Sequence, residues 1–231
     1  MALDPQAGEQ LVARAAAELT DADAVEILKW ADTALEGRMV VATSMQDAVL
    51  IDLAVKVRAD IDVVFLDTGY HFPETIGMRD AVRAAYPARV LTITPALSVA
   101  QQDAAYGPEL FARDPDRCCQ LRKVQPLNAM LGLYDGWVSG LRRSESPTRA
   151  DAQPVEWDRR RSVLKVNPVV AWTDEDVQGY IERNKILVNP LQAEGYPSIG
   201  CAPCTARVGA GEDPRAGRWS GTGKSECGLH T

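Results

Sequence analysis

The sequence predicts an α/β fold, a single doubly wound, mostly parallel sheet of about five strands with helices on both faces. Three observations carry this prediction. Short continuous apolar runs recur along the chain, as strands buried in a parallel sheet require. Stretches of helical periodicity separate the first three runs, and this β-α-β-α-β alternation implies parallel strands joined by right-handed crossovers. Polar turns follow the runs, where such a sheet binds its ligands. An irregular Gly- and Pro-rich region from Gly195 and a flexible C-terminal tail complete the plan.

Within residues 9–36, Leu11, Ala15 and Leu19, then Ala24, Ile27, Leu28, Ala31 and Leu35, recur at helical spacing and predict one or two helices. Gly37 supplies a stop. Met39–Thr43 is the first strand. Ser44-Met45-Gln46-Asp47 breaks it, and Val49, Leu50, Leu53, Ala54 and Val57 mark the next helix. Ile61–Leu66 is the second strand, followed by the turn Asp67-Thr68-Gly69. Pro73–Tyr86 reads as a helix opened by its proline. Arg89–Thr94, Gly136–Gly140 and Ser162–Asn167 are the third, fourth and fifth strands. Thr173 is placed to cap a short helix opened by Asp174, Glu175 and Asp176. No repeat and no long linker interrupts the chain. Residues 1–231 therefore read as one domain, with N-terminal helices over 1–37 and a mobile tail over 205–231.

The composition, 46% hydrophobic and 25% charged, is that of a globular protein. The net charge of −7 gives no general attraction to nucleic acid or to an anionic membrane. No apolar run approaches the roughly 18–20 residues of a membrane span. Met1-Ala2-Leu3-Asp4-Pro5-Gln6 has no signal-peptide pattern, so the expected location is the cytoplasm. Thiols stay reduced there, and clustered cysteines are then metal-binding or catalytic more often than disulfide-forming.

There are five cysteines. Cys118-Cys119 and Cys201-Ala202-Pro203-Cys204 form two tight pairs. Adjacent cysteines are awkward ligands for one tetrahedral ion, whereas a cubane offers each thiolate its own iron. Four thiolates suit a [4Fe–4S] cluster; the alternative is two buried free thiols beside an unrelated zinc pair. The fifth, Cys227, lies on a glycine-bearing tail after Arg215, Arg218 and Lys224, cations that favour a reactive thiolate, while Glu226 opposes it. A plain disordered terminus is the simpler account of that tail.

Three turns lie beyond strand ends. Ser44, with the N–H groups of the helix start behind it, can hold a phosphate or can simply cap that helix. Asp67-Thr68-Gly69 needs no more than a turn. Arg142 and Arg143 follow the fourth strand and match the geometry of phosphate or sulfate, unless they form a solvated basic patch. Lys123 follows the adjacent cysteines closely enough to serve an anion there. His71 has no assigned role.

Together, Cys118-Cys119, Cys201-x-x-Cys204 and the terminal Glu226-Cys227-Gly228-Leu229-His230 resemble the assimilatory adenylyl-sulfate (APS) reductases. These belong with the phosphoadenylyl-sulfate (PAPS) reductases in the PP-loop adenine-nucleotide-binding superfamily. The resemblance runs from about Val40 to Thr231 and includes Leu66–Thr75 and Gly140-Leu141-Arg142-Arg143. It implies thiol-dependent reduction of adenylyl sulfate to sulfite and AMP, in sulfate assimilation and cysteine biosynthesis. Cys227 would be the nucleophile and would carry an S-sulfocysteine. Ser44 falls at the phosphate-binding PP-loop, here without the superfamily's glycines. Lys123, Arg142, Arg143, Arg215, Arg218 and His230 would hold the substrate's anionic groups. Thioredoxin or a similar dithiol would be the partner that releases sulfite. The four paired cysteines favour adenylyl sulfate over its 3′-phosphorylated relative. The rival readings are a PAPS reductase, an ATP-using adenylating enzyme with zinc at the cysteines, and a non-enzymatic iron–sulfur sensor. Monomer and homo-oligomer are both open.

Overall fold

The apolar run Met39–Thr43 forms β1, and its alternate residues feed opposite faces of one sheet. The computed structural model describes residues 3–209, 211–220, 224 and 226–229. The further strands are β2 (Asp62–Leu66), β3 (Arg89–Ile93), β4 (Gly136–Val138), β5 (Val155–Asp158) and β6 (Val163–Val166). Met39, Val41, Val63, Phe65, Val138, Leu164 and Val166 enter one apolar cluster; Val40, Val64, Trp137 and Val163 enter the other. This is the period of two expected of strands buried on both faces.

Helices cover the two faces unequally. In chain order they are α1 (Pro5–Glu18), α2 (Ala24–Ala34), α3 (Val49–Val55), α4 (Pro73–Ala85), α5 (Val99–Tyr106), α6 (Leu110–Arg113), α7 (Pro115–Cys119), α8 (Gln125–Leu131) and α9 (Asp174–Asn184). The larger cluster takes residues from α1 to α4 and partly buried ones from α9. The smaller takes Leu127 and Leu131 of α8. The caps follow the sequence: Asp23 and Thr173 each make a capping box. Gly37 turns the chain after α2 at φ +76°. No described helix is long and apolar enough to cross a membrane.

The strand order is β3-β2-β1-β4-β6-β5. All pairings are parallel except β5 with β6. The described sheet thus has six strands, one more than the sequence reading gave. The unforeseen strand, β5, is a four-residue edge strand with only Val155 buried, too short to carry a periodic signal. It is fixed from outside, because α1 packs so closely that a Cβ at Gly8 would lie 2.4 Å from the Trp157 ring.

The chain places β2 and β3 on one side of β1 and the later strands on the other. This reversal between β1 and β4 is a topological switch point, and a crevice opens beyond the carboxyl ends of those two strands.

Candidate active site

A cleft of about 960 Å³ occupies that crevice. Ser44, Lys123, Arg142, Arg143, Arg215, Arg218 and Cys227 all border it, although they come from widely separated stretches of chain. His230 lies outside the described residues.

Ser44 is exposed at the end of β1. The helix behind it starts at Val49, and Val49 N–H donates to Asp47 Oδ1 at 3.0 Å. Ser44 is therefore not that helix's cap. The turn is made by Met45, fully buried at φ +59°, an unfavourable conformation for a side chain of that size. Buried Asn189 holds it in place: its Nδ2 donates to Met45 O at 3.1 Å and its N–H to Gln46 O at 2.9 Å.

The four paired cysteines surround one small pocket beside the cleft, with Tyr70, Arg122, Lys123 and Trp219. Cys118 and Cys119 end α7, and a π-helical turn, Gln120–Val124, joins α7 to α8. Such a turn re-aims side chains within a helix, and here it carries Arg122 and Lys123. Arg122, 3% exposed, donates from Nη1 to Gln102 Oε1 at 3.0 Å and packs on the Tyr70 ring. Its Nε donates to Thr68 O. Cys201 and Cys204 sit on a short 3₁₀ segment tied to the Tyr70 loop, Ala202 N–H donating to Tyr70 O at 2.7 Å. Thr68 Oγ1 lies 3.2 Å from Cys201 Sγ.

Burial, then repulsion from Cys119, Cys201 and Cys204, pushes the Cys118 thiol up to about 12. Burial and then Cys201 push Cys204 up to about 11. Burial also raises Cys119. Gathered thiols of this kind would lose their protons together only against a multiply charged cationic centre, and their donor chemistry would suit an iron–sulfur cluster. Among the described residues, no group of three or more His, Cys, Asp or Glu side chains is arranged to hold a metal ion.

Lys123 borders both this pocket and the cleft. Burial opposes its charge, but the Cys201, Cys227 and Cys119 thiols outweigh burial and raise its pKa. It remains an ammonium. Arg218 is buried, which lowers its pKa, and Cys227 acts against that shift. Its Nη1 donates to Ser198 Oγ at 3.3 Å, while its Nε is buried with no hydrogen-bond partner. Buried donors of this kind mark a place for an acceptor.

Arg142 and Arg143 reach the cleft already partnered. Arg142 pairs with Asp174 at 2.7 Å and with Glu145 at 3.6 Å. Arg143 Nε donates to Ala152 O at 2.8 Å. They are not a solvated patch, and any anion would share them with these partners. The described part of the tail is docked. Cys227 faces the cleft, Leu229 packs on the smaller apolar cluster, and Glu226 pairs with Arg149 and Arg215.

The family model for the phosphoadenosine phosphosulfate reductase domain matches residues 38–207. The chain belongs to that family. Among relatives of this reductase family, the adenosine 5′-phosphosulfate reductase of Mycolicibacterium smegmatis is 58% identical over 221 residues, covering 96% of this chain and 94% of that protein. The adenosine 5′-phosphosulfate reductase of Streptomyces coelicolor is 56% identical over 220 residues, covering 95% and 93%. A solved phosphoadenylyl-sulfate reductase from Candida auris, in a phosphate complex, superposes with a TM-score of 0.73 at 24% identity, over 90% of this chain and 99% of that one. At that identity the match shows that the reductase fold is shared.

Several residues of this reductase site carry no local sequence signal. Arg149 meets the tail through a contact spanning 77 residues of sequence, and Glu145 accepts from the other edge of its guanidinium. Asn189 shapes a loop 144 residues away from it in sequence. His71, given no role from sequence, borders the cleft; its Nε2 lies 2.8 Å from Leu66 O and its Nδ1 is buried without a partner. Burial lowers its pKa, so the ring is neutral.

Proposed function

We propose that the chain reduces adenylyl sulfate to sulfite and AMP, as the names of its close relatives indicate. One observation carries the reading. Cys227 faces a strand-end cleft whose other walls include Lys123, Arg215 and Arg218, and Lys123 also borders the four-cysteine pocket.

The substrate's sulfate and phosphate are anionic, and so is a thiolate. Bringing them together needs fixed positive charge at the reacting group. In the proposed first step the Cys227 thiolate attacks the sulfuryl sulfur. An S–S bond forms, the S–O bond to the phosphate breaks, and AMP leaves with the electron pair. Cys227 becomes an S-sulfocysteine. In the second step one thiol of thioredoxin or a similar dithiol attacks Cys227 Sγ, and sulfite leaves. The second thiol resolves the mixed disulfide and frees Cys227, so the dithiol supplies both electrons. Ser44 and the N–H groups of its turn are the proposed partners of the α-phosphate. Lys123, Arg142, Arg143, Arg215, Arg218 and His230 are the proposed partners of the anionic groups.

Cys118, Cys119, Cys201 and Cys204 would hold a [4Fe–4S] cluster. Once bound, the cluster would lend structural order and a fixed electrostatic setting beside Lys123. We read the chain as one cytoplasmic domain, with the segment that carries Cys227 its moving part. The reading places it in sulfate assimilation and cysteine biosynthesis.

The test is turnover of adenylyl sulfate and of its 3′-phosphorylated relative with a dithiol, on protein purified without oxygen. The expected result is iron- and sulfide-containing protein that releases sulfite and AMP from adenylyl sulfate by preference. Equal efficiency on both substrates overturns the substrate assignment. A colourless, zinc-loaded protein that is fully active overturns the cluster.

A further inference from the structure

The residue before Cys227 is held to the body of the protein by a part-buried, two-point ion pair. Arg149 Nε donates to Glu226 Oε1 at 2.9 Å and its Nη2 to Oε2 at 2.8 Å. The two side chains are 8% and 12% exposed. Arg215 approaches the same carboxylate at 3.4 Å. The remaining edge of the Arg149 guanidinium donates to Glu145, which also neighbours Arg142. Arg149 is set in place by the one-turn segment Pro147–Arg149, where Ser146 Oγ accepts from Thr148 N–H at 3.3 Å.

This pair can be compared with another ionic contact of the tail. There Lys224, 7% exposed, reaches Asp116, whose side chain is 83% exposed, so water and salt reach the carboxylate end of the pair. A forked, largely desolvated arginine–carboxylate pair is directional; removing Arg149 would leave Glu226 with Arg215 at 3.4 Å, and removing Glu226 would leave Arg149 with Glu145. It also answers a question raised by the sequence, since an acidic residue beside a reactive cysteine discourages the thiolate. Here that acid is matched by two arginines. Cys227 in turn lies close enough to Arg149 to favour its charged form.

We propose that Arg149 is a positioning residue that latches the tail through Glu226. Closed, the latch sets Cys227 over the cleft; released, it lets the tail leave so that a reductant can reach the loaded sulfur. This rests on the reductase reading above, but its first test needs no substrate.

That test is hydrogen–deuterium exchange of the C-terminal peptide in full-length, cluster-loaded protein. Arg149→Met and Glu226→Gln are each expected to speed exchange of the tail amides by about tenfold or more. Arg149→Lys should fall between them and wild type, and the double variant should be no faster than the faster single variant. Peptides from β1 and β4 should not change. Unchanged tail exchange in Glu226→Gln, or fully additive effects in the double variant, overturns the latch. Glu226→Gln keeps the test decisive if Arg149→Met folds poorly. The second readout is single-turnover loading of Cys227 at saturating adenylyl sulfate, expected to slow by a similar factor in Arg149→Met with AMP affinity unchanged. Equal losses in loading and AMP affinity would make Arg149 a binding-site residue and overturn the positioning role. If wild-type protein takes no sulfite adduct at all, the reaction is wrong, whereas the exchange result judges the latch on its own.

Discussion

Cys118, Cys119, Cys201 and Cys204 are embedded in backbone structure, whereas Cys227 is brought to the cleft through the side chains of its neighbours. The first four stand on a helix end and a 3₁₀ turn, knitted together by Arg122, Thr68 and main-chain bonds to the Tyr70 loop. The fifth depends on Glu226 meeting Arg149 and on Leu229 meeting an apolar surface. A group that must stay still is built into secondary structure. Under the proposed mechanism, the thiol that comes and goes is the one attached through side chains. Lys123 belongs to the fixed region and feels both, since Cys201, Cys119 and Cys227 all act on its charge.

The sharpest way to break the comparison is to remove the tail thiol. Cys227→Ser should lower sulfite release by roughly 10⁴-fold or more while substrate binding and iron content persist. Equilibrium binding and steady-state kinetics check this together. Removing the charge that joins the two regions comes next. Lys123→Met should cost about 10²–10³-fold in the rate of Cys227 loading, with a smaller effect on stability. A finer test moves a cation without deleting it. A Cβ at Gly200 would lie 2.3 Å from Arg218 Nη2, so Gly200→Ala should push that guanidinium aside and cost about 10- to 100-fold in kcat/KM. At the far end of the scale, Arg159 and Glu9 form a surface pair at 81% and 55% exposure. Arg159→Ala should change stability by less than about 0.5 kcal/mol and leave activity unaltered, as read by thermal melts and kinetics.

Much of this arrangement was legible in the chain. The central strands announced themselves because both of their faces are buried, and Thr173 capped its helix as its residue type requires. Strand order then placed Ser44 and Arg142 at one crevice. The residues that stayed hidden are those whose role depends on a distant partner. Short β5 is secured by Trp157 packing under Gly8. The π turn after Cys119 leaves no mark in residue types, although it carries Lys123 to the cleft. Arg142 and Arg143 were visible as cations at a strand end, but Asp174, Glu145 and Ala152 O were not visible as their partners. Glu226 read as a hindrance to the thiolate until Arg149 appeared against it.

The central claim is that Cys227 itself takes the sulfur. Wild-type protein should be incubated with adenylyl sulfate in the absence of any reductant, and its intact mass and Cys227 peptide measured. The account predicts one sulfite-sized adduct on Cys227, formed together with one equivalent of AMP and removed by thioredoxin. Protein that is active with reductant yet shows no adduct on Cys227 would contradict it.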